Sequence, residues 1–220
     1  PQRLAETAQR LASAKTALAF YVDRAIASYV DYHPQGYAEI DLNGVLQEPR
    51  ETVLKLLSTV LQNVSGSSYP VRFEKLKAVL ECCLEGSCHR TLGGCELILE
   101  EENSLFIYRE AAAIAAPHRM LPETGAILWD GRFLISNLGK RAAFEVRVLG
   151  KDGWAHLKTL GHDAHCPFRV GITQPSLWQQ DILCAVPTLG YYNPDRGCDL
   201  EVRFSPVSYT HLRAHETIRH

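Results

Sequence analysis

Cysteine and histidine side chains that could act chemically are concentrated in two short segments of the chain. The first contains Cys82, Cys83, Cys88, His89 and Cys95 in the arrangement CC-x4-CH-x5-C. Zinc sites need four soft ligands in a tetrahedron, usually delivered by C-x2-C pairs, and this arrangement contains no such pair. Cys83 also falls on the predicted apolar face of a helix, where a free cysteine packs as a small hydrophobe. We therefore predict no metal site here.

The second segment, with His162, His165 and Cys166, lies in a predicted loop. A catalytic Cys/His pair is normally brought together by the fold rather than by adjacency in sequence, so the neighbouring pair is a weak signal. The Leu92-Gly93-Gly94 stretch has no Lys-Ser/Thr after its glycines and is not a Walker loop. No G-x-S-x-G elbow is present. We predict neither a catalytic residue nor a cofactor site in this chain.

Helical periodicity dominates the elements of the first 86 residues. A long amphipathic pattern predicts a helix over Leu4–Val30, and Tyr37–Leu42 alternates like a short strand. Pro49 suits the first turn of a second helix, whose apolar face runs from Val53 to Val64. A third helix has Phe73, Leu76, Val79, Leu80 and Cys83 on one side.

The pattern changes to short strands after Gly86. Asp130-Gly131 is a strong hairpin signal, Glu102-Asn103-Ser104 is a second turn, and Pro117–Pro122 is predicted to be a linker. A Gly pair inside a strand marks a bulge or a tight backbone approach, which we expect at Gly93-Gly94. The predicted strands are Thr91–Glu100, Leu105–Arg109, Ala126–Trp129, Arg132–Ile135, Ala143–Leu149, Leu183–Val186 and Leu200–Phe204.

These elements predict an α+β fold, in which a helical N-terminal module is followed by a mostly antiparallel β-rich module. We place the first module, including a β-hairpin, at residues 1–111 and the second at 125–206, with a soft boundary at 112–124. Residues Val207–Thr217 (VSYTHLRAHET) resemble the translation of a transposase-type sequencing adapter. We therefore expect 207–220 to be a non-native tail.

Composition excludes several classes of protein. Hydrophobic residues make up 46% of the chain and charged residues 22%, as in ordinary globular domains. The net charge of −2 lacks the basic excess of a compact nucleic-acid binder, so any RNA contact must come from local clusters. No apolar run is long enough to span a bilayer. Seven irregularly spaced cysteines favour a reducing, cytoplasmic location over a secreted disulfide scaffold.

Several short motifs, taken in order, resemble one family. Their order and spacing are similar to the rear half of tRNA(Ile)-lysidine synthases of the alphaproteobacterial kind, over about residues 1–206. The first predicted helix resembles the linker that follows the catalytic domain in that family. The motifs are Tyr69-Pro70-Val71-Arg72, then Arg90-Thr91-Leu92-Gly93-Gly94-Cys95 with Tyr108-Arg109-Glu110, and finally Leu128-Trp129-Asp130-Gly131-Arg132-Phe133 with Ala185-Val186-Pro187-Thr188-Leu189-Gly190-Tyr191.

The resemblance implies a defined reaction for the parent enzymes. They use ATP and magnesium to adenylate C2 of the wobble cytidine in tRNA(Ile), and free lysine then displaces AMP to give lysidine. Their ATP site is a Ser-Gly-Gly-x-Asp-Ser loop in an N-terminal domain, and nothing between Pro1 and Pro206 matches that loop. We therefore expect a fragment that is inactive alone, binds tRNA(Ile), and depends on the absent domain for ATP and lysine.

Basic residues in or near these motifs are the candidate RNA contacts. Arg72, Arg90 and Arg109 lie within the family-like motifs, and Lys140-Arg141 lies in a predicted turn. Arginine and lysine bind phosphate and give salt-dependent affinity. Each motif arginine also has a structural explanation: Arg72 could solvate a helix start, Arg90 could be a strand-end charge, and Arg109 could pair with Glu110 or a neighbouring carboxylate.

Other interpretations stay open at this point. Trp129 and Phe133 could stack on a base, although at strand spacing such residues more often belong to a core. The mild negative charge favours a stand-alone protein-interaction module without an RNA role. A small metal-site protein is a third option, and a homodimer is compatible with the sequence.

Overall fold

The computed structural model describes residues 2–114, 118–123, 125–139 and 143–205, and it confirms the α+β fold class. The helices are α1 Gln2–Tyr29, α2 Leu42–Val45, α3 Arg50–Ser65, α4 Phe73–Leu84, α5 Gly150–Thr159 and α6 Phe168–Gly171. The strands are β1 Val30–Tyr32, β2 Ala38–Asp41, β3 His89–Leu92, β4 Cys95–Leu99, β5 Ser104–Arg109, β6 His118–Leu121, β7 Gly125–Trp129, β8 Phe133–Asn137, β9 Phe144–Val148, β10 Pro175–Gln179, β11 Ile182–Val186, β12 Tyr191–Tyr192 and β13 Leu200–Phe204.

Helix α3 forms the centre of the first module. It starts after Pro49 and ends at Gly66, which adopts the left-handed conformation (φ +70°) that glycine tolerates best. Its apolar face is fully buried against α1, α4 and an antiparallel sheet with the order β1-β2-β5-β4-β3. The buried side chains include Leu56, Leu57, Val60, Leu61 and Val64. The predicted helices of this half are thus confirmed.

Two glycines connect β3 to β4 in this sheet. Gly93 (φ +61°) and Gly94 (φ +76°) form a two-residue hairpin turn, and β3 pairs with β4 from Leu92↔Cys95 outward. Positive φ at both central positions is typical of a hairpin turn. The expected bulge is therefore wrong, because the glycines lie between two strands, but the neighbours do approach closely: a Cβ atom on Gly94 would lie 2.5 Å from Nη1 of Arg109.

The second module contains two antiparallel sheets, with the orders β12-β11-β10-β9-β6 and β13-β8-β7. The predicted Asp130-Gly131 turn joins β7 to β8, with φ +50° and +65° at its two residues. Trp129 and Phe133, on either side of the turn, are almost completely buried. They belong to the core of this module and are not exposed for base stacking.

Part of the predicted linker Pro117–Pro122 is instead a strand. Residues His118–Leu121 form β6, which pairs with β9 from His118↔Arg147 to Leu121↔Phe144. His118 Nδ1 also lies 2.7 Å from Glu145 Oε1 on β9. The linker prediction was wrong because a four-residue edge strand gains its order from its partner, whereas the flanking prolines suggested a break.

Helix α1 is packed along only half of its length. Its side chains from residue 5 to residue 17 are exposed, and burial begins with Val22, Ala25 and Ile26. Leu11 and Phe20 are 67% and 66% exposed. Within the part of the chain that the structure describes, no helix is long and apolar enough to cross a membrane.

Some predictions fall outside the described residues. Lys140, Arg141 and the predicted tail 207–220 belong to this group. The proposed module limits at 1–111 and 125–206 stay a prediction.

Candidate nucleic-acid interface

An exposed segment at the start of α4 carries the first candidate, Arg72. The side chain of Arg72 is exposed, and its backbone carbonyl accepts hydrogen bonds from the amides of Lys75 and Leu76. Tyr69, three residues earlier, is 82% exposed, which is unusual for a tyrosine in a folded domain. The segment therefore offers a cation and an aromatic ring to solvent, the two groups that bind a phosphate and a base.

The second candidate, Arg90, reaches the other end of the same helix. It lies on β3, an edge strand, and its Nη2 lies 3.0 Å from Cys82 Sγ at the C-terminal end of α4. Lys75 and Cys82 are seven residues apart, so the helical repeat places them on one face. Arg72, Lys75 and Arg90 thus lie along one exposed side of α4, which we call the α4 basic face.

Arg109 is placed quite differently, because its side chain is only 7% exposed. Its Nε and Nη2 donate to the two carboxylate oxygens of Asp130 at 3.0 and 2.8 Å. The remaining contacts are with the carbonyls of Gly94 (2.9 Å) and Ala113 (2.7 Å). The alternative of a carboxylate partner is therefore what the structure shows, although that partner is Asp130 and not Glu110. In this arrangement the guanidinium group of Arg109 is enclosed and paired with protein groups.

A second buried arginine completes this ion cluster. Arg132 is fully buried, its Nε donates to Asp130 Oδ2 at 2.7 Å, and its Nη1 and Nη2 donate to Gly36 O and Thr173 O at 3.3 and 3.2 Å. Burial lowers the pKa of Arg132 to about 10, with the charge of Asp130 acting in the opposite direction. Arg132 therefore stays protonated at neutral pH.

The Arg109–Asp130–Arg132 cluster joins the two modules. Two guanidinium groups share one carboxylate, and backbone carbonyls from both modules accept the remaining hydrogen bonds. Buried charges need such complete pairing, because desolvation costs several kcal/mol per ion. The family-like motif around Asp130 thus has a structural role. The sequence does not predict this role, because the partners of the charged residues in the motif are distant in sequence.

The cysteine-rich segment does not assemble a metal site. Within the described ranges, no group of three or more His, Cys, Asp or Glu residues could hold a metal ion. Cys83 and Cys88 are both buried, and the hydrogen bond from Cys83 lowers the pKa of Cys88 to about 7. The same contact, together with burial, raises the pKa of Cys83. Cys82, half-buried, contacts Arg90.

The second His/Cys segment also forms no catalytic pair. Burial raises the pKa of Cys166 to about 11, which disfavours the thiolate that a nucleophile requires. His162 Nε2 lies 2.8 Å from the carbonyl oxygen of Leu189 and so fixes a loop. These contacts describe an α+β chain with an exposed basic face, a buried ionic junction and no assembled nucleophile in its described part.

Three curated relatives are similar to this chain, while no protein-family profile matches it. The tRNA(Ile)-lysidine synthase of Wolbachia sp. subsp. Brugia malayi (strain TRS) is 32% identical over 142 residues, covering 64% of the chain and 33% of the relative. The synthase of Wolbachia pipientis wMel is 28% identical over 86% of the chain and 44% of its own length. The synthase of Ruegeria pomeroyi (strain ATCC 700808 / DSM 15171 / DSS-3) is 30% identical over 87% of the chain and 44% of its own length.

The resemblance stated from the sequence motifs is therefore confirmed. Over most of its length the chain is similar to tRNA(Ile)-lysidine synthases, and it spans less than half the length of these relatives.

Proposed function

We propose that this chain is the C-terminal, tRNA-handling part of a tRNA(Ile)-lysidine synthase. The similarity to three such synthases carries the proposal. On this proposal, the rest of the enzyme binds ATP, magnesium and lysine and carries out the reaction. The part described by this chain binds and orients tRNA(Ile). On this proposal the chain alone forms no lysidine, because nothing between Pro1 and Pro206 matches the ATP loop of the family.

The α4 basic face is the surface that we assign to the tRNA. Arg72 and Arg90 are exposed, and their guanidinium groups can donate to phosphate oxygens without breaking an ion pair within the described residues. Tyr69 is available to stack on an unpaired base. Arg109 is not among the tRNA contacts that we propose, because Asp130 and two backbone carbonyls already bind it.

Titration of the purified chain with tRNA(Ile) tests this assignment. We expect weak binding that is lost as salt rises, because each released counterion contributes to the salt dependence. Arg72→Ala and Arg90→Ala should each weaken binding by about 0.5–1 kcal/mol, roughly two- to fivefold, and reduce the salt slope by about one. Filter binding or fluorescence anisotropy at several salt concentrations measures both quantities.

Arg203→Ala is the matched control. Arg203 is exposed on β13, where it pairs with Glu201, and it lies outside the α4 basic face. Binding should be unchanged in this variant. Absence of tRNA binding by a folded chain at low salt would contradict the proposal. Equal losses in all three variants would show that only net charge matters.

A protein-interaction surface is the second candidate, and helix α1 favours it. Phe20 and Tyr21 are exposed on this helix with their ring centroids 5.8 Å apart, and Arg24 lies 5.2 Å from the Tyr21 ring. Adjacent exposed aromatic side chains mark an interaction surface more often than isolated ones do. This alternative would be supported if the chain formed a complex with another protein but bound no tRNA.

A further inference from the structure

A pocket of about 520 Å³ lies between β5 of the first module and the α6 segment of the second. Aromatic rings form its walls: Tyr37, Phe106 and Tyr108 from the first module face Phe168 from the second. Phe168 is 50% exposed and therefore open to a ligand. We call this site the aromatic pocket.

The rings of the first module form a continuous ladder. Tyr37 and Tyr108 have their ring centroids 5.5 Å apart, and Phe106 stacks nearly parallel to Tyr108 at 5.8 Å. His33 stacks on the far side of Tyr37 at 4.0 Å. Each ring therefore holds its neighbour in place, and the wall presents aromatic faces whose electron density attracts cations.

The charges at the pocket are predominantly negative. Glu96 and Glu100 line it, and Arg169 is the one positively charged residue among the lining residues that the structure describes. Glu96 already binds Arg169 at 2.9 Å and His89 at 2.8 Å. The carboxylate of Glu100 has no ion pair or hydrogen bond with the described residues. An adjoining groove adds Glu39, Glu101 and Glu102.

The side chain of Arg169 already places a cation in this pocket. The guanidinium carbon of Arg169 lies 5.3 Å from the centre of the Tyr108 ring, in a cation–π contact, while its Nη1 binds Glu96. A ring face and a carboxylate thus hold a cation together on one side of the pocket. Glu100 lines the same pocket together with Phe106, and no cation of the described residues pairs with its carboxylate.

The hydroxyl of Tyr108 is a further polar group that the pocket offers to a ligand. Tyr108 is only 3% exposed and lines the pocket, yet its hydroxyl makes no hydrogen bond within the described residues. The hydroxyl oxygen itself is accessible, since it is not among the enclosed side-chain atoms that lack a partner, so a ligand in the pocket can reach it. Burial is the main cause that raises the pKa of Tyr108, and the charge of Glu100 adds to it, so the hydroxyl stays neutral and can accept a hydrogen bond from an ammonium group.

We propose that the aromatic pocket binds a small organic cation with more than one ammonium group, of the diamine or polyamine class. One ammonium lies between Tyr108 and Glu100, with Phe106 covering its alkyl chain, and a second can approach the carboxylates of the adjoining groove. A phosphate or nucleotide is disfavoured, because at least two carboxylates would face its charge. The proposal is independent of tRNA binding by the α4 basic face.

Calorimetric titration of the whole chain with spermidine at low ionic strength, without RNA, tests the proposal. Glu100→Gln keeps the shape of an exposed side chain and should weaken binding by about fivefold, since the unpaired carboxylate is lost. Tyr108→Phe keeps the ring and removes only the hydroxyl, so we expect a loss of about two- to threefold. Glu201→Gln on β13 is the matched control and should leave affinity unchanged.

Arg169→Gln gives a prediction of opposite sign. It removes the built-in cation and frees Glu96 Oε2 and the Tyr108 ring, while His89 keeps its contact with Glu96 Oε1, so spermidine should bind at least about threefold more tightly. Cadaverine should bind more tightly than free lysine, whose α-carboxylate would meet Glu100. Diacetylated cadaverine, which is neutral, should not bind. Equal binding of the neutral analogue, or equal losses in Glu100→Gln and Glu201→Gln, would overturn the proposal, as would the absence of spermidine binding by the folded chain.

Discussion

Asp130 is the residue on which the junction between the modules depends most directly. It is 5% exposed and forms ion pairs with Arg109 at 2.8 Å and Arg132 at 2.7 Å. The sequence predicts the turn at Asp130-Gly131, because this dipeptide favours positive φ. It does not predict the ion pairs, since Arg109 lies 21 residues from Asp130, and the Gly36 carbonyl that Arg132 contacts is 96 residues from that arginine.

Asp130→Asn should therefore destabilise the chain strongly. The variant keeps the side-chain volume but leaves two buried guanidinium groups without a counter-charge, which costs about 3–5 kcal/mol. Chemical denaturation measures the change in the free energy of unfolding. Glu201→Gln, which breaks an exposed ion pair with Arg203, should cost at most about 1 kcal/mol. Similar values for the two variants would show that the buried cluster contributes no special stability.

Exposure separates the candidate arginines in a way that their sequence motifs do not. Arg72, Arg90 and Arg109 all occur in family-like motifs, yet only Arg109 is buried. Its burial follows from tertiary contacts with Asp130, Gly94 and Ala113, which no local pattern reveals. The sequence does not predict the aromatic pocket for the same reason, since its rings come from two modules.

Among the elements, those with strong local signals were predicted best. Helix α3 has a clear apolar period between Pro49 and Gly66, and the hairpin around Asp130-Gly131 has a specific turn dipeptide. Helix α5 was not predicted, because its sequence GKDGWAHLKT contains two glycines and few apolar residues. Strand β6 was missed because its order depends on pairing with β9.

The end of α3 and the β7–β8 turn meet through two glycines. A Cβ atom built on Gly66 would overlap the carbonyl oxygen of Asp130, and one built on Gly131 would overlap the carbonyl oxygen of Gly66. Both residues also have positive φ. The two backbones can therefore approach this closely only without side chains.

Gly66→Ala should destabilise the chain by about 2–5 kcal/mol. The left-handed conformation costs about 1–2 kcal/mol for alanine, and the overlap with the turn adds about 1–3 kcal/mol. Gly86→Ala provides the control, because Gly86 also has positive φ (+76°) but nothing lies within 4 Å of an added Cβ. Thermal or chemical denaturation of both variants isolates the contact between modules, and equal losses would contradict a tight approach.

At the scale of the whole molecule, the two modules meet at a buried junction. The start of α1 packs against neither module. The described side chains before Leu18 are exposed, and the core begins at Val22. An isolated helix end gains little stability without packing.

Deletion of residues 1–14 should therefore leave stability nearly unchanged. We expect a difference within about 0.5 kcal/mol, which corresponds to a shift in Tm of about 1–2 °C for a chain of this size. Scanning calorimetry of the shortened chain checks this. A deletion extended through Ile26 removes three core residues and should lower Tm clearly. Loss of stability in the shorter deletion would indicate that the first turns pack against the chain after all.

The glycine contact and the buried ions between the modules also set a distance. Because the contact is made by main-chain atoms and charges without freedom to reorient, the α4 basic face and the second module are held at one separation. In the proposed function, a tRNA bound to the α4 basic face would therefore meet the second module at one fixed position.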